Sequence, residues 1–240
     1  MPTTRPEATA ASGERLLQLA RQHIGEKYVL GVTVPKNNPN WKGPFDCAEF
    51  ASWLTYQVAG TLYGCSDDSA PPETADAFTG FWARDAERLG KKVAWEEAAG
   101  TPGAFVLRVP QPGAMGHIVV SDGNGGTVEA YSTKRGVIKS TLALRRWDIG
   151  VLVLGIQYSA PAAVTVSLPK AAIFRLTQPP MAGPAVRKIQ RALRTLGFNP
   201  GVVDGEFGPH TQAAVVAFQL SRGLVADGEV GPKTARSLGL

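Results

Sequence analysis

The hydrophobic period of this chain changes once, and that change limits what the chain can fold into. Up to about residue 89 the apolar residues recur at helical spacing; from about residue 103 they alternate or run as in strands. Leu16, Leu17, Ala20 and Ile24 share one face of a helix over 13–25, which Gly25 ends. Phe50, Leu54 and Val58 repeat at i, i+4, i+8 in a second helix that runs from Cys47 to about Ala59. Helical spacing resumes over roughly 73–89 and stops near Gly90. Strands are then expected at 104–110, 117–121, 127–131, 136–141 and 150–158. Helices followed by an antiparallel sheet define an α+β domain over residues 13–158.

The composition shifts again after residue 158. Residues 159–183 are rich in Ala, Pro, Val and Thr and read as a linker, with Ala171–Leu176 as a possible short strand. Residues 184–240 contain a duplication: Asp204-Gly-Glu-Phe-Gly-Pro-His-Thr211 recurs 23 positions later as Asp227-Gly-Glu-Val-Gly-Pro-Lys-Thr234. Each copy pairs an Asp-Gly turn with a proline suited to a first helical turn. With helices around Val186–Leu196 and Ala213–Leu220, the segment is a small three-helix bundle.

The chemistry centres on Cys47. Gly43-Pro44 breaks the chain upstream and Asp46 is suited to cap the helix, so Cys47 falls in the first turn, where free N–H groups favour an anion. A nearby histidine would help bring the thiol from about 8.5 into the range 3.5 to 7.5. The alternative is a small buried hydrophobe, as most free cysteines are. Of the three histidines, His117 opens a strand after a Gly-rich connection and suits a general base; His23 lies in the first helix and His210 in the duplicated segment. The three offer no metal-ligand spacing such as His-x-x-x-His. Cys65 lies in a polar loop and carries no assigned chemistry, and two cysteines make no disulfide framework.

A base needs an orienting partner, and Glu129 is the candidate. A five-residue loop over Ser121–Gly125 would set Val120 opposite Gly126 and His117 opposite Glu129. A two-residue Asn124-Gly125 turn would set Val120 opposite Glu129 and put the carboxylate on the other face of the sheet.

Asp46-Cys47 with Phe50 and Trp53, then Gly116-His117-Ile-Val-Val with an acidic residue twelve positions on, resembles the NlpC-type cell-wall cysteine peptidases, compact relatives of papain. The resemblance covers about residues 13–158. It implies Cys47 as nucleophile, His117 as base, Glu129 as third member and Tyr28 beside the oxyanion site. Asp46, Glu49 and Trp41 are the candidate substrate contacts. Two departures from the family pattern stand out: Ala48-Glu49 where small residues usually follow the cysteine, and a long Asn/Pro loop with Trp41 after the tyrosine. Residues 184–240, through Leu193-x-x-Leu196-Gly-Phe and Val203-Asp-Gly-x-Phe-Gly-Pro, resemble the peptidoglycan-binding domain of wall hydrolases.

The resemblances imply hydrolysis of a stem-peptide amide, between D-glutamate and the third residue, with no metal or organic cofactor. The alternatives are an N-acetylmuramoyl-L-alanine amidase on the same fold and a catalytically silent wall-binding protein. The expected partner is peptidoglycan; an immunity protein joins it if the chain is an effector, and a monomer suffices. A net charge of +5 suits an anionic polymer, but no Lys/Arg run or aromatic stripe marks a nucleic-acid face. No run of 18 apolar residues is present for membrane insertion. Residues 1–12 lack the apolar core of a secretory signal, so action on the wall is expected to need lysis or a non-standard export route.

Overall fold

The computed structural model describes residues 10–89, 91–143, 145–159 and 173–240. Helix α1 (Gly13–Gln22) buries Leu16, Leu17 and Ala20, and its N-cap Ser12 accepts from the Arg15 N–H. It ends three residues before the expected stop, which leaves Ile24 exposed. His23, its C-cap, is buried among Phe45, Phe50 and Trp53 and pairs with Glu26 at 3.0 Å. Helix α2 (Cys47–Ala59) starts at the residue expected of it: Asp46 caps it, and Gly60 closes it in the left-handed conformation. Helix α3 (Thr79–Arg88) is shorter than the spacing over 73–89 suggests, because residues before Thr79 form turns after Pro71-Pro72.

The sheet has six antiparallel strands, in the order β1-β6-β2-β3-β4-β5. These are β1 (Lys92–Val93), β2 (Phe105–Arg108), β3 (His117–Ser121), β4 (Gly126–Ser132), β5 (Gly136–Thr141) and β6 (Ile149–Val151). Strand β6 is much shorter than the apolar run at 150–158, and β1 and the short helix α4 (Trp95–Ala99) were not legible in the periodicity. The two faces of the sheet bury different sets of side chains. Phe105, Leu107, Ile118, Val120, Val128 and Ala130 pack against α1, α2 and α3. Val106 and Val119 pack with Ala98, Ala99, Leu142 and Trp147 on the other side. This explains why the strands read as near-continuous apolar runs rather than strict alternation.

The C-terminal domain has three helices, α5 (Pro184–Thr195), α6 (Pro209–Arg222) and α7 (Pro232–Ser237), each with proline in its first turn. Its core is Val186, Ile189, Leu193, Phe207, Val215, Phe218 and Val230. Of the expected linker, 160–172 lie outside the described residues. Residues 173–183 are not a free connection: Phe174 bridges Val230, Ala182 bridges Glu206, and Phe174, Leu176 and Met181 pack on the helical core. The duplication has a physical basis in two buried glutamines. The Gln190 side-chain amide donates to Asp204 Oδ1, the Glu206 carbonyl and Thr211 Oγ1, while its oxygen accepts from the Gly205 N–H. Gln219 does the same for Asp227 Oδ1, the Glu229 carbonyl, Thr234 Oγ1 and the Gly228 N–H. Each turn is thus held from inside by one amide, which is why Asp-Gly, the next residue and the threonine recur together.

On α2, Glu49 is fully buried. Its carboxylate accepts from Lys36 Nζ, the Val34 N–H (2.9 Å) and the Ala77 N–H (2.7 Å), and Lys36 is itself buried and donates to the Ala75 carbonyl. The pair ties the loops around 34–36 and 75–77 to the helix that carries Cys47. Removing one partner leaves an uncompensated buried charge. Glu49→Ala is therefore expected to destabilise the protein by about 3–5 kcal/mol, with much of the loss recovered in the Glu49→Leu/Lys36→Met double variant. Urea unfolding of wild type, Glu49→Ala and the double variant measures both; a double variant no more stable than Glu49→Ala would contradict the pairing.

Candidate active site

Cys47 stands at the first position of α2, and the cap at Asp46 fixes it there. Asp46 Oδ1 accepts from the Glu49 N–H at 2.9 Å and Oδ2 from the Gly31 N–H at 3.1 Å. The segment before the cysteine is paired with the strand-like stretch around Tyr28: the Val29 N–H donates to the Phe45 carbonyl and the Phe45 N–H to the Lys27 carbonyl, both at 3.0 Å. Tyr28, Asp46, Cys47 and His117 line one cavity of about 130 Å³. Gly116 admits no side chain there, since a Cβ would lie 2.3 Å from Thr79 Oγ1.

His117 is the first residue of β3. The β3–β4 loop is five residues long, Asp122–Gly126, and pairs Ser121 with Thr127 and Val120 with Val128. Neither register weighed from the sequence is formed. The Asp122 carboxylate accepts from the Asn124 and Gly126 N–H groups, its own N–H donates to the Gly126 carbonyl, and Gly123 and Gly125 take φ of +79° and +80°. This closes the loop one residue later than expected on each strand. The combined shift of two places Tyr131, not Glu129, opposite His117 and keeps Glu129 on the same face as the histidine. From that diagonal position Glu129 Oε2 meets His117 Nε2 at 2.6 Å.

Glu129 is fully buried and its oxygens are filled. Oε1 accepts from Thr127 Oγ1 (2.7 Å) and Arg145 Nη1 (2.7 Å), and Oε2 accepts from His117 and Arg145 Nη2 (2.9 Å). Burial alone would raise this carboxyl; Arg145 and His117 overcome it and hold the group ionised, well below the ordinary carboxylate range. A carboxylate accepts only, so His117 donates through Nε2, and its Nδ1 carries the lone pair. Burial depresses the His117 pKa; Glu129 opposes this, while Arg145 and Arg108 reinforce it. The imidazole is therefore neutral in the resting protein, with its Nδ1 lone pair free to accept a proton. Arg145, which the sequence reading missed, supplies the bidentate half of this arrangement; its guanidinium lies over the Trp147 ring at 4.5 Å. Its only sequence signal was a basic residue beside a strand end.

The thiol departs from expectation. Burial, with Asp46 adding to it, pushes Cys47 up to about 12, although the Ile118 and Ala48 N–H groups and Arg108 pull the other way. The helix terminus does not outweigh desolvation, so the resting pair is thiol and neutral imidazole rather than thiolate and imidazolium. Tyr28 is likewise raised, first by burial and then by Cys47 and Asp46, and stays a hydroxyl donor at all ordinary pH.

Two expected substrate contacts are displaced. Glu49 is spent in its pair with Lys36, and burial lifts it to about 7. Trp41 is half-buried, donates to the Pro44 carbonyl at 3.2 Å and packs on the core; neither residue lines the cavity. Cys65 is a free, buried thiol, and His210 is exposed at the start of α6.

The molecule is thus an α+β domain with a buried Cys-His-Glu cluster, followed by a helical domain clamped by two glutamines. Residues 182–238 match the family model of the putative peptidoglycan binding domain. The chain is similar to the N-acetylmuramoyl-L-alanine amidase CwlM of Mycobacterium tuberculosis, 39% identical over 93 residues covering 37% of this chain and 23% of that protein. It is 43% identical over 72 residues to the N-acetylmuramoyl-L-alanine amidase CwlL of Bacillus licheniformis, covering 28% of this chain and 20% of that one. A zinc D-Ala-D-Ala carboxypeptidase of Streptomyces albus G is 48% identical over 58 residues, 22% of either chain. The chain spans about a fifth of the length of these curated relatives. Among solved structures it is similar to the NlpC/p60 domain of the peptidoglycan hydrolase SagA, with a TM-score of 0.42 and 20% identity over 59% of this chain and 99% of that one. The P60 domain of the Mycobacterium avium subspecies paratuberculosis antigen MAP1204 gives a TM-score of 0.39 at 20% identity, over 58% of this chain and 92% of that one.

Because the resting thiol is protonated, alkylation of Cys47 by iodoacetamide is expected to climb about tenfold per pH unit from 6 to 9, without a plateau. Peptide mass mapping assigns the rate to Cys47; a plateau below pH 8 would mean a preformed thiolate. In Arg145→Leu the Glu129 charge is no longer balanced, so the His117 titration followed by NMR is expected to move to higher pH.

Proposed function

We propose that the chain is a peptidoglycan hydrolase that cleaves an amide of the stem peptide through Cys47. The observation that carries this reading is that His117, paired with Glu129, lines the same cavity as Cys47, in a chain joined to a domain matching a putative peptidoglycan binding family. A neutral His117 takes the thiol proton as the sulfur attacks the amide carbon. The oxyanion that forms is held by the Cys47 N–H and the Tyr28 hydroxyl. His117 then gives its proton to the leaving amine, and a thioester remains. Water attacks the thioester, its proton passes to His117, and the acid leaves as the thiol is restored. Glu129 keeps the ring oriented throughout, and among the described residues Asp46 is the one carboxylate at the cavity that an ammonium group of substrate could meet.

The bond we favour joins D-glutamate to the third, diamino residue. The names of the amidase relatives favour a second reading, the bond between the sugar and L-alanine. Purified peptidoglycan digested with wild type and with Cys47→Ala, followed by mass analysis of soluble fragments, separates these. Wild type is expected to release fragments whose new termini name the bond, and Cys47→Ala none; equal release by both, or none by either, would overturn the reading. Glu129→Gln is expected to lower kcat/KM by about two orders of magnitude. The active base is the deprotonated histidine, so the acidic limb of kcat/KM is expected below the ordinary histidine value of about 6.5, and to move upward in Arg145→Leu.

A further inference from the structure

The cavity at Cys47 is not made by the α+β domain alone. Its far side is Leu220, at the end of α6, and Leu224, Val225 and Ala226 in the connection to α7. The second duplicated turn holds this connection in place. Asp227 meets Arg108 Nη1 at 2.6 Å, and Arg108 is the buried end of β2, paired in register with His117. Glu229 meets Arg146 Nε at 3.0 Å. Ser132 Oγ donates to the Gly223 carbonyl at 3.1 Å, and Lys134 Nζ to the Ser221 carbonyl. The first duplicated turn has the same internal glutamine clamp, yet its Asp204 and Glu206 are exposed. One copy is therefore turned outward and the other is locked against the catalytic sheet. Arg108 makes the lock more than a surface contact. Its Nε and Nη2 have no partner among the described residues, so Asp227 is what balances a buried guanidinium.

We propose that the C-terminal domain forms one wall of the substrate cleft and determines what is cleaved, in addition to tethering the protein to the wall. This rests on the reading of Cys47 as a peptide-cleaving nucleophile. The lining identifies the class accepted. Leu30, Phe78, Met115, Leu224 and Val225 make it apolar; among the described residues no lysine or arginine lines it, and Asp46 is its only carboxylate. Such a cleft receives the small uncharged side chains of a stem peptide, such as its alanines, against the C-terminal domain, while Asp46 can meet an ammonium group of the same peptide. A tether raises local concentration without touching the reacting bond; a wall changes the rate on a substrate too small to be tethered.

The test uses the full chain carrying Val225→Trp or Leu220→Trp. Leu220 is 58% exposed, so its replacement leaves the core intact. Two quantities are measured: labelling of Cys47 by a bulky fluorescein maleimide, assigned by peptide mapping, and kcat/KM on a soluble, glycan-free stem peptide. Both are expected to fall roughly tenfold or more in each variant, while binding to insoluble peptidoglycan stays at the wild-type level. Val225→Ala is expected to raise kcat/KM for a peptide with leucine in place of alanine by about fivefold relative to the alanine peptide. Wild-type labelling in both tryptophan variants, slowed labelling with unchanged kcat/KM, or unaltered preference in Val225→Ala would each overturn the proposal. Slowed labelling beside a wild type that cleaves no peptide would keep the wall and overturn the hydrolase reading instead.

Discussion

The structure turns on one fully buried carboxylate. Glu129 lies fully buried in β4, and an ionised carboxyl there is tolerable only because Thr127, His117 and both terminal nitrogens of Arg145 donate to it. That requirement fixes the tautomer of His117 and leaves Nδ1 as the basic atom. A histidine bonded to a carboxylate is nonetheless not strongly basic here: burial lowers it first, and Arg145 and Arg108 add to that against the pull of Glu129. The same burial keeps Cys47 protonated. Under the proposed hydrolase reading, the proton moves at the moment of attack rather than being stored beforehand in a separated ion pair.

Around this cluster, buried charges join parts of the chain that sequence distance keeps apart. Glu49 and Lys36 hold two loops onto α2, and through Ala77 and Thr79 those loops reach the cavity. Arg108 and Arg146 hold the second duplicated turn against the sheet. Each pair loses its value if one partner leaves, since the survivor is stranded in a low-dielectric setting.

Much of this was legible before any coordinates. Cys47 at a capped helix start, His117 opening a strand and a carboxylate twelve residues on were readable because capping and strand alternation are local rules. The hairpin register was not, because Asp122 closes the loop with its side chain and competes with the Asn-Gly turn that the sequence offers. Glu49 read as a substrate contact because it stands just after the cysteine, where the resembled family usually has small residues, whereas its partner Lys36 lies in an irregular loop that no period reveals. Arg145, β1 and α4 went unseen for the same reason: short elements and single long side chains carry no periodic signal.

The sequence by itself determined the two domains, the order of helices before strands, the position of the cysteine and histidine, and the paired turns of the C-terminal bundle. Each of these follows from interactions within about a dozen residues or from a repeated pattern. Only the tertiary structure decided which charges are buried together, that the thiol is raised rather than lowered, and that the second duplicated turn faces the sheet while the first faces solvent. Those outcomes depend on desolvation and on partners as many as 119 positions apart, such as Arg108 and Asp227, and neither quantity is written in any local stretch of the chain.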